Sequence, residues 1–201
     1  MAHPIPLDAR AAQKLDTRAR LLRTAAELFD RAGVDAVTVD QIARAAETSR
    51  ANFYLHFSGK ADLLHAMRRD MWQVAQGYYE AFAQLPDTRP ATLLRWLRGF
   101  ADAWASHAEQ TRAILVATPR EVSAEYVEHL QDYIAALTRD PGKWPRVAPD
   151  EARRRAHLLI SQLSGFLSEL HVHSMPMDRA AMLASFAALW SKAINAPEPP
   201  P

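Results

Sequence analysis

The chain has no cysteine. That excludes disulfides, thiolate nucleophiles and cysteine-ligated zinc, and it fits a reducing compartment. Glycine is scarce, 6 in 201 residues, and no Gly-rich phosphate loop is present. A surplus of charge is missing too. Lys and Arg number 24 against 23 Asp and Glu, a formal +1. No basic field covers the whole protein, so any grip on nucleic acid must come from a local patch. The opening residues, MAHPIPLDARAAQKLD, lack the apolar core of a signal peptide. No run approaches the roughly 18 apolar residues of a membrane span. The nearest, Leu158 to Leu170, is broken by Ser, Gln, Gly and Glu. A soluble, cytoplasmic protein with no membrane partner is expected.

What is present is apolar bulk. Hydrophobic residues make up 49% of the chain, enough for a sizeable core. Alanine-leucine stretches, few β-branched runs and no alternating pattern predict an all-α fold. Residues 1–16 read as an arm and 196–201, rich in proline, as a disordered tail. A first helix is expected over Thr17–Ala32, with Leu22, Ala25, Phe29 and Ala32 on one face and Gly33 as its C-cap. Thr38-Val39-Asp40-Gln41 matches a capping box opening a short second helix. A tight connection, Glu47-Thr48, leads to a third over Ser49–Phe57, and a long fourth starts near Lys60. Five more helices follow, over about 90–106, 109–117, 120–138, 150–174 and 179–195.

Two short helices joined by a tight turn, the second ending in a basic-aromatic cluster, form a helix-turn-helix pattern. The major groove admits one helix, which a small core must hold rigidly. Phe29, Ile42, Ala43, Phe53 and Phe57 supply that core. Thr48, Ser49, Arg50 and Asn52 are left on the outer face. Arg50 can present two donors to guanine, and Asn52 can pair with adenine or reach a phosphate. Tyr54, His56 and Lys60 are candidates for phosphate oxygens, as is the N-terminus of the second helix at Thr38. Tyr54 also admits a core role, and Arg50 and His56 a merely solvated one. Arg10, Lys14, Arg18, Arg20 and Arg23 precede this region. They suit either a groove-tracking arm or a solvated segment.

The run Thr38–Ala43, then Thr48–Phe57, then Lys60–Leu64 resembles the TetR family of transcriptional regulators. Ser49 opens the recognition helix, Tyr54 follows five residues on, Phe57 three beyond, and Lys60 opens the next helix. Small Ala51 is kept. The chain departs from the family pattern at Glu47, where glycine is frequent, and at Thr48, where an apolar residue is. The resemblance implies a DNA-binding domain over 17–62 and a helical effector-binding and dimerisation domain over 63–195. It implies a homodimer on a palindromic double-stranded operator, and a small-molecule effector that releases it, most often from repression.

On the effector side, Trp96, Phe100, Trp104 and His107 share one helix face, as do Tyr126, Leu130 and Tyr133, and Leu159, Leu163, Phe166 and Leu170. Each stripe is either bundle core or the wall of a pocket for an apolar or aromatic molecule. The pocket candidates are Trp96, Phe100, Trp104, His107, Tyr126, Tyr133, Leu163 and Phe166. The dimer candidates are Leu159, Leu170, Met182, Phe186 and Leu189. No metal site or cofactor is expected, since His171 and His173, two apart on a helix, point to opposite sides. Nothing forms a recognisable catalytic set, so an enzyme is not expected. A helical adaptor without DNA binding is the other alternative, and intact Arg50, Asn52, Tyr54 and Lys60 argue against it.

Overall fold

The structure is a computed structural model and describes residues 9–117, 124–171, 176 and 178–198. Those residues hold nine α-helices and no strand. These are α1 (Ala9–Ala32), α2 (Val39–Ala45), α3 (Arg50–Tyr54), α4 (Lys60–Phe82), α5 (Pro90–Ala105), α6 (Ala108–Ala117), α7 (Ala124–Leu137), α8 (Pro149–His171) and α9 (Arg179–Asn195). They group into two compact units. The first comprises the described residues up to Arg69 and those from Glu109 to the end of α6; the second comprises the rest.

In the first unit α1 begins at Ala9, not at Thr17. After Pro6 the segment ARAAQKLD contains strong helix formers and no breaker, so half of the expected arm is helix. Residues 1–8 lie outside the described ones. The inward face of α1 is Leu21, Leu22, Ala25, Ala26 and Phe29, all buried, while Ala32 is exposed. Gly33 ends the helix at φ 79°, where its missing Cβ removes the steric penalty, and its N–H donates to Phe29 O at 2.9 Å. The capping box of α2 forms in full. Gln41 N donates to Thr38 Oγ1 at 3.2 Å, and Thr38 N donates to Gln41 Oε1 at 2.7 Å.

Helix α3 is shorter than expected. Ser49 caps it by accepting from Asn52 N at 3.0 Å, and the helix gives way to a turn at Leu55. Phe53 and Phe57 are fully buried, with ring centroids 5.9 Å apart. Arg112 on α6 clasps Asp30 on α1 through two bonds, Nε to Oδ1 at 2.6 Å and Nη2 to Oδ2 at 2.7 Å. That guanidinium holds the Asp30 carboxyl below its ordinary range against the opposing effect of burial.

In the second unit α5 packs on α9 and α8, and α8 on α7 and α9. Its core is aromatic, built from Tyr79, Phe82, Trp96, Phe100, Tyr133 and Trp190. The buried residues of α4 are Leu63, Ala66 and Met67 in the first unit and Ala75, Tyr79 and Phe82 in the second. The row that the helical period predicts, Leu64, Met67, Met71, Val74, Tyr78 and Phe82, is buried at Met67 and Phe82 and only half-buried at the other four. Two apolar rows lie side by side on this helix, and the sequence does not rank them. After α7, Trp144 folds back and donates from Nε1 to Leu137 O at 3.1 Å. The tail is tied down in part. Arg155 Nη1 donates to Ala193 O and Ala196 O, both at 2.7 Å, and its Nη2 to Pro197 O at 3.0 Å. Residues 196–198 are therefore placed, contrary to a tail disordered from Ala196; 199–201 lie outside the described residues.

Candidate nucleic-acid interface

The link between α2 and α3 is fixed from several sides. Ala46 N donates to Ile42 O and Thr48 N to Ala43 O, both at 2.9 Å. Arg20 on α1 donates from Nε to Ala46 O at 2.9 Å. Glu47 sits between them at φ 51°, the one positive φ at a non-glycine among the described residues. A residue with a Cβ is strained there. This is the position where the sequence departs from the glycine frequent in the family pattern it resembles, and the backbone keeps the glycine-like conformation.

The outer side of α3 carries Ser49, Arg50 and Ala51, all exposed, and Asn52 half-buried. Arg50 Nη1 donates to Asp40 Oδ2 at 3.2 Å and Oδ1 at 3.3 Å. Its guanidinium carbon lies 5.7 Å from the centre of the Tyr54 ring. Tyr54 first, and Asp40 after it, hold this cation protonated. Asn52 Nδ2 donates to Thr48 Oγ1 at 2.7 Å. That bond orients the amide and leaves Oδ1 and one N–H, the pair that matches the N6 and N7 edge of adenine. Tyr54 is 47% exposed, edge-on to Phe53 at 5.4 Å, so the ring is shared between core and surface. Leu55, which the sequence reading did not single out, is 75% exposed beside it. Its only signal was an apolar residue out of phase with Phe53 and Phe57.

Two candidates for phosphate are engaged inside the unit, and a third, His56, is half-buried there. Lys60 Nζ donates to Val34 O at 2.7 Å, Val37 O at 2.8 Å and Asp35 O at 3.4 Å, which ties the start of α4 to the loop after α1. His56 buries Nδ1 with no hydrogen-bond partner among the described residues. Burial, then the charges of Lys14 and Arg18, push its pKa below the ordinary value, so the ring is neutral at pH 7. Thr38 Oγ1 is occupied by the capping box. Of the basic residues ahead of the motif, Arg18 lies 4.7 Å over the Phe57 ring and Arg20 braces the turn.

Residues 21–67 match the profile of the bacterial regulatory proteins of the tetR family. Over 57 residues the chain is 44% identical to two proteins of Pseudomonas putida, the uncharacterized HTH-type transcriptional regulator TtgW and the HTH-type transcriptional regulator SrpR. That stretch is 28% of this chain, and it spans 42% of TtgW and 27% of SrpR. The fold is similar throughout to the transcriptional regulator FadR from Bacillus subtilis, solved in complex with stearoyl-CoA. The TM-score is 0.68 at 18% identity, covering 88% of this chain and 99% of that one. The similarity to the tetR family thus rests on residues 21–67, where its profile matches, and the rest of the chain shares the fold.

The effector candidates do not all meet. Trp96, Phe100, Trp104 and Tyr133 gather with Tyr78 and Tyr79. Trp96 Nε1 donates to Tyr78 O at 3.0 Å, and Tyr133 Oη donates to Trp72 O at 3.3 Å. Burial raises the Tyr79 and Tyr133 hydroxyl pKa values, so both stay protonated. Trp104 Nε1 is buried with no hydrogen-bond partner among the described residues. Tyr79 and Trp72 were missed because each neighbours a residue that fits the helical period as well. His107 sits instead at the turn after α5, its Nδ1 2.9 Å from Ala103 O. Tyr126 is exposed and Leu163 is fully buried. Phe166 joins Met182, Phe186 and Leu189 along a groove of about 370 Å³ between α8 and α9, with Gln162, Gly165 and Glu169. Three of the five dimer candidates therefore line that groove. Leu170 is half-buried, and Leu159 lies in the core, 4% exposed.

Proposed function

We propose that this chain is a cytoplasmic, DNA-binding transcriptional regulator that binds a palindromic operator as a homodimer. It represses from there and is released by a small apolar or aromatic effector. The observation that carries the reading is α3 itself. Phe53 and Phe57 lock it onto a buried core, while its exposed side presents Arg50 and Asn52, each already oriented by a neighbour. A rigid helix with oriented donors suits a base edge, because little side-chain freedom is lost on binding.

The whole-molecule claims have their own support. The groove between α8 and α9 is lined by Phe166, Met182 and Phe186 and edged by Leu189, 54% exposed, an apolar face suited to a second copy. The aromatic cluster around Trp96 and Phe100, with Trp104 Nε1 lacking a partner among the described residues, offers stacking surface and one donor. FadR, of similar fold, was solved with stearoyl-CoA, whose acyl chain is long and apolar, which supports an effector with an apolar part. No described helix is long and apolar enough to cross a membrane.

The test is titration of the full chain against duplex DNA at rising salt. Affinity is expected to fall steeply, by about a hundredfold or more between 50 and 200 mM, since each neutralised phosphate releases a counterion. Arg50→Ala is expected to lower the affinity for a preferred duplex more than for mixed sequence. Absence of binding at low salt overturns the proposal.

A further inference from the structure

The ion pair between Asp40 and Arg50 joins α2 to α3 in the open, with side chains 53% and 62% exposed. Exposed pairs of this kind add little to stability. Asp40 stands in the first turn of α2, where the helix dipole favours a carboxylate. That accounts for an acid at this position, not for its seat beside the arginine that leads the recognition helix. It also sets a negative charge where a polyanion is to be read.

The geometry gives the pair a use. A guanidinium has five donors in a rigid plane. Nη1 of Arg50 faces both Asp40 oxygens, and the Tyr54 ring lies against the same group. Nε and Nη2 lie together on the opposite edge and meet no carboxylate among the described residues, and such a fork matches O6 and N7 of guanine. Without Asp40 the same side chain is a flexible cation that any phosphate satisfies. We infer that Asp40 is a positioning residue that holds Arg50 with its Nε/Nη2 edge toward a guanine, and so sets base specificity while repelling DNA without that base. This rests on the reading that α3 binds DNA.

Two opposite consequences follow from removing the carboxylate, and a merely structural role produces neither pattern. The full-length wild type, Asp40→Asn, Arg50→Ala and the double variant are titrated against a panel of duplexes in which each position of the wild type's preferred site is substituted in turn. The wild type is expected to disfavour substitution of one guanine per half-site by about tenfold. Asp40→Asn is expected to lose most of that discrimination at that position only, while its affinity for mixed-sequence DNA stays level or rises. Arg50→Ala abolishes the same preference, and the double variant is no worse than Arg50→Ala alone, since the two residues act as one unit. Asp40→Glu keeps the first-turn charge and shifts the carboxylate by one methylene. It serves if Asp40→Asn unfolds early, and it too should weaken the preference. Retained guanine preference in the Asp40 variants, an equal change at every position, or additive effects with Arg50→Ala overturns the inference while leaving DNA binding intact. A wild type with no preference at any base overturns both readings.

Discussion

Glu47 holds a left-handed backbone that an L-residue adopts at a cost of about 1–2 kcal/mol. Its neighbours impose it through the Arg20 bond to Ala46 O and the Thr48 bond to Ala43 O. Glu47→Gly should remove the strain and gain about 1 kcal/mol, less the extra freedom of an unfolded glycine. Urea unfolding checks it: the midpoint rises with an unchanged slope. A lower midpoint would mean that the turn is not strained. Single residues were legible in sequence where chemistry is local. Arg50 stands exposed and Asn52 half-buried on the outer side of α3, and the missing glycine marked the strained site. What escaped was the partner of each. Asp40, ten residues before Arg50, reads as an ordinary helix-start acid until the two helices are folded together.

At the scale of elements, the local signals held and the distant ones did not. A capping box lies within four consecutive residues, so α2 was readable. The start of α1 was not, because nothing in ARAAQKLD marks a beginning; good helix formers simply run on from Ala9. Lys60 shows the same limit. A lysine opening α4 suggests a phosphate contact, yet its ammonium is held by carbonyls up to 26 residues away. Lys60→Met keeps the aliphatic stem and removes three charge-assisted bonds. It should destabilise the chain by about 2 kcal/mol and leave the salt slope of DNA binding unchanged. A phosphate-gripping lysine would instead reduce that slope by about 1 with little change in stability. Thermal unfolding and a salt titration of the variant separate the two.

For the whole molecule, the all-helical plan followed from composition and period, but the grouping of its helices did not. Helix α6 follows α5 in sequence and yet belongs with the N-terminal unit, where Arg112 meets Asp30 across 82 residues. No periodicity reports such a pairing. Phe166 likewise looked like pocket wall and lines the α8–α9 groove, because a stripe shows which residues share a face and not what covers it. In the proposed function one helix, α3, reads bases twice over in a symmetric pair. Selection of bound duplexes from random DNA by the full chain tests this most directly. The expected result is an inverted repeat with a guanine in each half-site, the half-site centres about 34–36 Å or a multiple of that apart. A lone half-site would contradict the dimer, and no enrichment at all would contradict base reading by α3.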